Sequence, residues 1–371
     1  MAKTVLINYT GRKGGGPLDA IEMTKGLLKQ DCEIIAILSQ DIENKKEWEL
    51  LKLKELIFVP TYQTKFQFVF STIRFWINGR RKLKKRLRGY KIDIIYCPMI
   101  TFWTKMINDC FTDCKVIVVN HDPLPHSGDK YAKWMKLLST ESVYLDADRI
   151  VVHTQKFVPY VEDRYNKRGQ VIYIPLGRHD CYKKTSNEGI YQYDPQKTNY
   201  IFFGTFSKYK GIDILLEAYQ SICKDRDDVS LSIYGSGDFS PYQNLANRVS
   251  NLTVVNKWIS DEDVANLFAG ENLIMVLPYI DATQSGVVLV AMDFGVPIIA
   301  TDVGGLSEQI ENNVTGILVE PGDSKQLADA MRMLADDKEK RRSINENVSA
   351  FLGNIGWDVS AKKLVECMDE L

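Results

Sequence analysis

Short apolar runs alternate with helical patterns along the whole chain. The runs are almost continuously apolar and rich in β-branched or aromatic residues, which is typical of strands buried on both faces of a parallel sheet. Helical stretches lie between most of them, as a doubly wound α/β protein requires. The predicted strands are 5–8, 33–38, 56–60, 92–97, 115–120, 149–154, 171–175, 200–204, 229–235, 252–256, 272–278, 297–302 and 316–320.

One polar segment interrupts this alternation and predicts two domains. Residues 180–198 contain glycine, proline and mostly polar side chains, which are typical of a linker. We therefore predict a first α/β domain at residues 1–179 and a second at residues 199–356. Near the end of the second domain, Asp323 is the predicted N-cap of a helix, and a last helix is predicted over 357–371.

Composition narrows the class of protein. The 371 residues are 45% hydrophobic and 26% charged, as in a globular protein with a core, and the net charge of −1 gives no reason to expect nucleic acid as a partner. The 7 cysteines are dispersed without a CxxC pair, which favours reduced thiols in a cytoplasmic protein. The N-terminus lacks a secretion-signal pattern, and no apolar run approaches the roughly 20 residues that span a bilayer.

A glycine-rich loop follows the first predicted strand. In GRKGGG (11–16), consecutive glycines such as Gly15 and Gly16 let a ligand approach the backbone, and the helix that follows offers its N-terminus to an anion. The spacing differs from the GxGxxG of dinucleotide sites. Two interpretations stay open here, an anion-binding loop and a flexible turn.

Two of the 4 histidines lie in the loop NHDPLPHSGD (120–129). The loop follows a predicted strand, and ligands of open parallel sheets bind at the carboxyl ends of strands. His121, with Asp122 beside it, is therefore well placed to hydrogen-bond a sugar hydroxyl or a transferred group. His126 stays open between a site residue and a loop residue bonded to backbone.

A lysine-bearing turn opens the second domain. Lys208 and Lys210 lie in GTFSKYKG (204–211), between a predicted strand and a predicted helix. Cations together with the amides of a helix N-terminus form a pyrophosphate site. The alternative is a basic surface turn.

The stretch PYIDATQSGVVLVAMDFGVPIIATDVGG (278–305) contains a turn, a helix, a strand and a glycine pair. A helix that begins after residue 283 would direct the amides of residues 285–287 outward, and Gly304 and Gly305 would follow the next strand at the same edge. These features converge with the lysine turn on a predicted anion pocket. From Thr283 to Met292 the turn and its helix carry no acidic residue, although ligand turns of this kind usually supply carboxylates.

The segment 64–91 is both basic and apolar. No acidic residue occurs between Glu55 and Asp93, and residues 80–88 are densely basic. This composition suits the surface of an anionic membrane; nucleic acid is a less specific alternative, and a solvated helix with one face on the core is another. The apolar residues at helical spacing are Phe66, Val69, Phe70, Ile73, Trp76, Ile77, Leu83 and Leu87.

The order of these motifs resembles glycosyltransferase family 4, the group 1 retaining glycosyltransferases of the GT-B fold. The resemblance covers essentially the whole chain. It implies two Rossmann-like doubly wound domains that face a cleft, with the helix 357–371 crossing back to the first domain. The motifs that carry it are KGGGP, His121–Asp122, ADRIVVHT, IPLG (174–177), GTFSKYKG, YGSGD and the stretch from Pro278 to Glu308.

The resemblance also implies a reaction. A nucleotide sugar, UDP- or GDP-linked, would bind mainly to the second domain, and a glycan or lipid-linked acceptor to the first, near Asp122 and His126. Transfer would retain the anomeric configuration and need neither metal nor cofactor, because lysine and helix amides stabilise the leaving diphosphate. His121 and Lys210 match the family's catalytic positions. The predicted donor-binding residues are Gly15, Gly16, Gly204, Thr205, Lys208, Lys210, Gly235, Asp281, Thr283, Gln284, Ser285, Gly286 and Val287.

Three positions depart from the family's pattern. Thr205 stands where an arginine usually joins the lysine, and Lys208 replaces its charge without its bidentate geometry. Ala282 and Val290 stand where two glutamates usually bind hydroxyls of the sugar and of the ribose. Asp281 lies one position from the first, whereas nothing obvious replaces the second.

Three functions compete on this basis. The first is a retaining glycosyltransferase of cell-surface polysaccharide biosynthesis, cytoplasmic and peripheral at the inner face of the membrane. The second is a non-catalytic GT-B partner subunit that stabilises or targets an active transferase, which the missing glutamates and arginine motivate. The third, a nucleotide-sugar epimerase, lacks the acidic cluster that acid–base chemistry would need.

Overall fold

The computed structural model describes residues 2–62, 64–124, 141–178, 191, 193–353 and 355–371. Contacts divide these residues into two compact units. The first unit holds those within 1–123, 129–177 and 356–371, and the second holds those within 124–128 and 178–355. Residues 180–190 and 192 of the predicted linker lie outside the described residues.

The first unit contains a sheet of seven parallel strands. Their order is β3-β2-β1-β4-β5-β6-β7, so β2 and β3 lie on one side of β1 and β4 to β7 follow on the other. Every strand runs at or near a predicted position, because strands buried on both faces appear in sequence as unbroken apolar runs. The strands are β1 Thr4–Tyr9, β2 Glu33–Ser39, β3 Glu55–Val59, β4 Ile94–Cys97, β5 Lys115–Val119, β6 Arg149–Val152 and β7 Val171–Tyr173.

Helices flank this sheet and include the last helix of the chain. A π-helical turn, Phe75–Gly79, joins the third helix to the fourth. The helices are α1 Gly15–Lys29, α2 Lys45–Leu50, α3 Lys65–Arg74, α4 Arg80–Leu87, α5 Thr104–Asn108, α6 Glu141–Asp146, α7 Val158–Tyr165 and, at the end of the chain, α15 Trp357–Asp369.

The second unit repeats the arrangement with six parallel strands in the order β10-β9-β8-β11-β12-β13. Its strands are β8 Thr198–Phe203, β9 Val229–Gly235, β10 Leu252–Asn256, β11 Leu273–Leu277, β12 Ile298–Thr301 and β13 Ile317–Val319. Its helices are α8 Ile212–Ile222, α9 Gln243–Ala246, α10 Asp261–Leu267, α11 Gly286–Asp293, α12 Leu306–Gln309, α13 Ser324–Asp336 and α14 Lys338–Leu352. The predicted N-cap is confirmed, since the Asp323 carboxylate accepts from the amide of Gln326 at 2.9 Å.

The segment 64–91 is helical, as predicted, but its apolar residues do not share one face. Leu83 and Leu87 are buried, whereas the other six are exposed. The π-helical turn explains the difference, because its wider turn shifts the phase of α4 relative to α3. Within the described residues, no helix has both the length and the apolar character needed to cross a membrane.

Helix α15 packs against α1 inside the first unit, which confirms that the C-terminal helix returns to the N-terminal domain. The contact is close at Gly26 of α1. A β-carbon at this position would lie 2.7 Å from Cβ of Ala361 and 2.9 Å from the carbonyl oxygen of Trp357. Glycine is therefore required by packing against a neighbouring helix and not by backbone conformation.

We predict that Gly26→Ala destabilises the protein. Alanine favours a helix by about 1 kcal/mol over glycine, but overpacking against α15 typically costs about 1–3 kcal/mol, so the clash should prevail. Chemical unfolding would measure the difference. Gly89→Ala is the matched control, because a β-carbon at Gly89 would meet no atom within 4 Å; equal unfolding free energies for both variants would contradict the packing argument.

Candidate functional site

The strand order of the second unit creates a crevice between β8 and β11. The chain leaves these neighbouring strands toward opposite sides, and such switch points bind ligands in doubly wound sheets. The two turns at the crevice touch each other: the amide of Ile280 donates to the carbonyl of Tyr209 at 2.7 Å. Gly211, at φ 65°, allows this approach, because a β-carbon there would lie 1.9 Å from the carbonyl oxygen of Pro278.

Lys210 lies in this crevice on an aromatic ring. Its Nζ is 3.6 Å from the ring centroid of Tyr279 and 5.0 Å from that of Tyr209. A cation over an aromatic face is attracted by the ring quadrupole, most strongly where water is excluded, and Tyr279 is fully buried. No carboxylate among the described residues forms an ion pair with Lys210, so its charge faces the crevice without an acidic partner.

The same tyrosine connects the lysine to the start of α11. The hydroxyl of Tyr279 lies 3.4 Å from Oγ of Ser285, the N-cap residue of that helix. The backbone carbonyl of Tyr279 accepts from the Thr301 hydroxyl at 2.5 Å. The amides of Gly286 and Val287 follow in the first turn, where a helix supplies no internal acceptors. The buried ring of Tyr279 thus positions the Lys210 cation beside a helix N-terminus. A cation and unbonded helix amides together favour the binding of an anion.

The amide of Ser285 differs from its predicted role. It donates to Oε1 of Gln309 at 2.9 Å, and Nε2 of Gln309 donates to the carbonyl of Ser285 at 3.2 Å. The side-chain amide of Gln309 therefore forms hydrogen bonds with both the backbone N–H and the backbone carbonyl of Ser285. Of the three amides expected to face a ligand, this one is already bonded within the protein, and the correction leaves Gly286 and Val287.

The glycine pair after β12 is explained by close packing. Gly304 has φ 53°, and a β-carbon there would lie 1.2 Å from the carbonyl oxygen of Ala282. The amide of Gly305 donates to the carbonyl of Thr283 at 3.1 Å. These contacts fix the turn before α11 to the turn before α12.

Two further glycines of the predicted donor site also meet at the sheet edge. A β-carbon on Gly235 would lie 1.7 Å from the carbonyl oxygen of Gly204, whose amide donates to Tyr234 at 3.0 Å. The side chains of Thr205 and Lys208 are exposed beside them. The glycines thus bring the ends of β8 and β9 together next to the lysine turn.

The positions that depart from the family's glutamates are core positions here. Ala282 is 7% exposed and Val290 is 5% exposed, and both belong to the apolar core of the second unit. Of the predicted polar residues in this turn, Thr283 is buried, whereas Asp281 and Gln284 are half-buried. The turn therefore keeps one carboxylate, that of Asp281, and replaces the others by packing.

The glycine loop of the first unit lies at the corresponding switch point, between β1 and β4. A β-carbon on Gly16 would lie 2.3 Å from the hydroxyl oxygen of Tyr9, and one on Gly11 would lie 2.2 Å from it. Gly15 differs, because no atom lies within 4 Å of such a carbon. Glycine is thus required at positions 11 and 16 because Tyr9 occupies the space that a side chain would need. Gly15 leaves open space at the start of α1.

His121 follows β5 and belongs to a cluster of titratable groups, in which Asp19 is buried and His121 and His153 are half-buried. Its Nε2 lies 2.7 Å from the carbonyl oxygen of Pro98, which can only accept, so Nε2 carries a proton. Its Nδ1 lies 3.9 Å from Oδ2 of Asp19, and its ring centroid lies 4.7 Å from that of His153. Asp122 is exposed; the predicted His126 lies outside the described residues.

His153 is held in its neutral form. Its Nδ1 donates to the carbonyl of Ile174 at 2.8 Å. Burial, together with the neighbouring His121, lowers the pKa of His153 from 6.5 to about 4. At neutral pH this side chain is therefore an uncharged neighbour of His121.

Models of two protein families match this chain. The model for "Glycosyltransferase Family 4" matches residues 14–179, and that for "Glycosyl transferases group 1" matches residues 184–351. Both models describe the same enzymes over different parts of the chain. The chain belongs to glycosyltransferase family 4, the group 1 glycosyltransferases. The predicted resemblance is therefore confirmed, and so is the fold, since both doubly wound units match solved GT-B glycosyltransferases.

Individual relatives of this family 4 glycosyltransferase are distant. An uncharacterized glycosyltransferase of Methanocaldococcus jannaschii is 25% identical over 61% of this chain and 60% of its own length. N-acetyl-alpha-D-glucosaminyl L-malate synthase of Bacillus anthracis is 28% identical over 49% of this chain and 48% of its own. The chain thus spans less than two thirds of either relative's length.

Solved structures match the family 4 glycosyltransferase over essentially its whole length. Anabaena Alr3699/HepE in complex with UDP-glucose has a TM-score of 0.75 with 18% identity over 100% of both chains. Sucrose-phosphate synthase from Thermosynechococcus elongatus has a TM-score of 0.74 with 18% identity over 99% of this chain and 98% of that one. At this identity the match concerns the fold.

Four residues of the glycosyltransferase's candidate sites were missed by reasoning from sequence: Asp19, His153, Tyr279 and Gln309. Two of them left a usable signal. His153 directly follows β6, the strand that pairs with β5, so it shares a sheet edge with His121. Tyr279 directly follows the proline at the end of β11. Asp19 and Gln309 lie on helices, and only the fold brings them to these positions.

We predict that Gln309→Leu destabilises the second unit by about 1–3 kcal/mol, the usual penalty for a buried polar group without a partner. Ser285 is 4% exposed, so its amide could not turn to water. Chemical unfolding would measure the loss. Gln326→Leu is the matched control, since its side chain bonds the amide of Glu320 at an exposed site; a loss as large in the control would contradict this interpretation.

We predict that His153 makes stability depend on pH. Because its pKa is about 4 in the folded chain and 6.5 when unperturbed, the unfolded state binds more protons between these values. The free energy of unfolding should therefore fall as pH drops from about 6.5 towards 4. His153→Asn keeps a donor for Ile174 and removes the titration, so its unfolding free energy should fall less over this range. Parallel pH profiles for both proteins would contradict the assignment.

Proposed function

We propose that this glycosyltransferase moves a hexosyl group from a UDP- or GDP-linked sugar to a glycan or lipid-linked acceptor in cell-surface polysaccharide biosynthesis. Transfer retains the anomeric configuration and uses no metal. The observation that carries the proposal is the position of Lys210, which lies over the buried ring of Tyr279 beside the N-terminus of α11.

The proposed role of Lys210 is to stabilise the leaving nucleoside diphosphate. Negative charge grows on the diphosphate as the glycosidic bond breaks, and a fixed cation in a site of low dielectric stabilises that charge more than the ground state. The amides of Gly286 and Val287 would add hydrogen bonds from the helix N-terminus. Within the described residues, no cluster of three or more His, Cys, Asp or Glu side chains is arranged to hold a metal ion.

A uridine nucleotide is the first donor to test. Solved structures of similar fold include complexes with UDP and with UDP-glucose. On the chain itself, the hydroxyls of the donor would have to be bound by Asp281, Thr283 and Gln284, because Ala282 and Val290 are core residues. We therefore expect donor recognition to depend on the diphosphate more than on the ribose.

The acceptor side of the proposal rests on His121. Its ring is oriented by the Pro98 carbonyl and flanked by Asp19 and by the neutral His153. A histidine oriented in this way can hydrogen-bond a hydroxyl group of a transferred or accepting sugar. Gly15, with open space around it, offers a second place where the backbone can meet that sugar.

A non-catalytic partner subunit is the second candidate function. The burial of Ala282 and Val290 favours it, because the hydroxyl-binding carboxylates are replaced by core packing. A subunit of this kind would bind a nucleotide sugar weakly or not at all and would be found with an active transferase. Turnover of any nucleotide sugar by the purified chain alone would exclude it.

We predict that Lys210→Ala weakens UDP binding. Hydrogen bonds to charged groups contribute about 1.5–3 kcal/mol, so the dissociation constant should rise about tenfold to hundredfold. Titration calorimetry with UDP, followed by turnover of a nucleotide-sugar panel, would measure both binding and activity. Lys224→Ala, at an exposed position of the same unit, is the control. Unchanged UDP affinity in Lys210→Ala would show that the diphosphate binds elsewhere.

The remaining part of the proposal is peripheral membrane association. Six apolar side chains of the segment 64–91 are exposed, and the same segment carries a dense run of lysines and arginines. An exposed apolar stripe beside cations suits the interface of an anionic bilayer. We propose that this segment brings the enzyme to the inner face of a membrane where a lipid-linked acceptor would lie.

A further inference from the structure

A groove of about 280 Å³ lies between the edge strand β3 and the α3–α4 segment. Its floor is apolar and is formed by buried side chains of the strand and the helices, among them Val59, Phe75 and Leu83. Gly79 allows this floor to form, because a β-carbon there would lie 2.4 Å from the ring of Phe75. The shape of the groove thus depends on the packing of Gly79 against Phe75 within the π-helical turn.

The rim of the groove is cationic. Arg74 and Lys82 line it together with Asn78, and none of the described residues that line it is acidic. A third cation, Arg86, already donates from Nε to Glu55 at 2.8 Å. Arg74 and Lys82 form no ion pair with any carboxylate in the part of the chain that the structure describes, and both are exposed. The groove therefore presents two cations and an amide above an apolar floor.

The exposed apolar stripe adjoins this rim. Phe66, Phe70 and Trp76 are 84%, 74% and 60% exposed. With Val69, Ile73 and Ile77 they recur at i, i+3, i+4, i+7, i+10 and i+11, which is one face of a helix. The stripe residues Ile73 and Ile77 directly precede the rim residues Arg74 and Asn78 in sequence. Consecutive residues of a helix project about 100° apart, so the rim lies on the side of the helix next to the stripe.

We propose that the groove binds the phosphate headgroup of an anionic phospholipid while the stripe enters the acyl region of the same leaflet. The inference rests on the membrane association proposed above and names its partner. Arg74 and Lys82 would donate charge-assisted hydrogen bonds to the phosphate, and Asn78 would bond the adjoining glycerol. The volume equals that of about nine liquid water molecules at roughly 30 Å³ each, which admits a glycerophosphate group.

The chemistry of the surface favours lipid over nucleic acid. Bases stack on aromatic rings, but half of the stripe is Val69, Ile73 and Ile77, which offer no such platform. A bilayer accepts aliphatic and aromatic side chains alike, and its anionic headgroups complement the rim. Binding of an oligonucleotide in place of lipid would overturn the proposal.

The first experiment tests the groove with a soluble lipid. Dihexanoyl phosphatidylglycerol, used as a monomer, should bind saturably in a titration followed by tryptophan fluorescence. Arg74→Gln/Lys82→Gln should weaken that binding at least tenfold. Arg81→Gln/Lys85→Gln removes the same charge from exposed positions of α4 that do not line the groove, and it should change the affinity less than threefold. Equal losses in the two pairs would overturn the site in favour of a diffuse charged surface.

The second experiment tests the stripe with vesicles. Flotation should show binding to phosphatidylcholine vesicles that contain phosphatidylglycerol, and Phe66→Ser/Phe70→Ser should reduce it about tenfold or more, since each exposed ring would lose its acyl environment. Leu50→Ser, at a position 83% exposed outside the stripe, is the control. If the unaltered chain does not float with anionic vesicles, or a single-stranded oligonucleotide displaces them, the proposal fails.

A third measurement separates this proposal from the proposed catalytic function. The proposed UDP site lies in the second unit, so all of these variants should bind UDP as tightly as the unaltered chain. Loss of vesicle binding with UDP affinity intact supports the headgroup site. Loss of both in one variant would indicate a folding defect; the Arg74→Gln and Lys82→Gln single variants then decide, and if neither weakens the binding of dihexanoyl phosphatidylglycerol the site is overturned.

Discussion

The reversal of strand order in each sheet is the constraint on which the sites depend. Because β8 and β11 are neighbours whose connections leave toward opposite faces, their carboxyl ends are free to be shaped by loops. The lysine turn and the turn before α11 use that freedom: they contact each other through backbone and place Lys210 on Tyr279. The same reversal between β1 and β4 places the glycine loop of the first unit.

Sequence patterns predicted the strands well because their signal is local. Strands buried on both faces have unbroken apolar runs, and the N-cap at Asp323 is recognisable from a few neighbouring residues. The bond between Gln309 and Ser285 joins residues that are 24 positions apart, and the cluster of Asp19, His121 and His153 joins three separate elements. Such contacts follow from which loops become neighbours, and a single sequence does not contain that information in local form.

The departures from the family's pattern acquire a physical meaning in the structure. Ala282 and Val290 are integral parts of a packed core, so a carboxylate at either place would have to be accommodated by rearranging α11, at whose start we propose the anion site, or the turn before it. The backbone amides at the start of that helix do not depend on those side chains. A diphosphate site can therefore persist where hydroxyl recognition has changed, and this separates the chemistry of leaving-group stabilisation from the choice of sugar.

The π-helical turn at Phe75–Gly79 amounts to one additional residue within a helix. Each residue turns an α-helix by about 100°, so deletion of one residue there would rotate α4 and carry Leu83 and Leu87 out of the core. In evolutionary terms, the gain or loss of a single codon decides whether one continuous helix can pack into the core at one end and present an apolar surface for binding at the other. A surface contact of this kind is therefore easily acquired and easily lost among proteins of one fold.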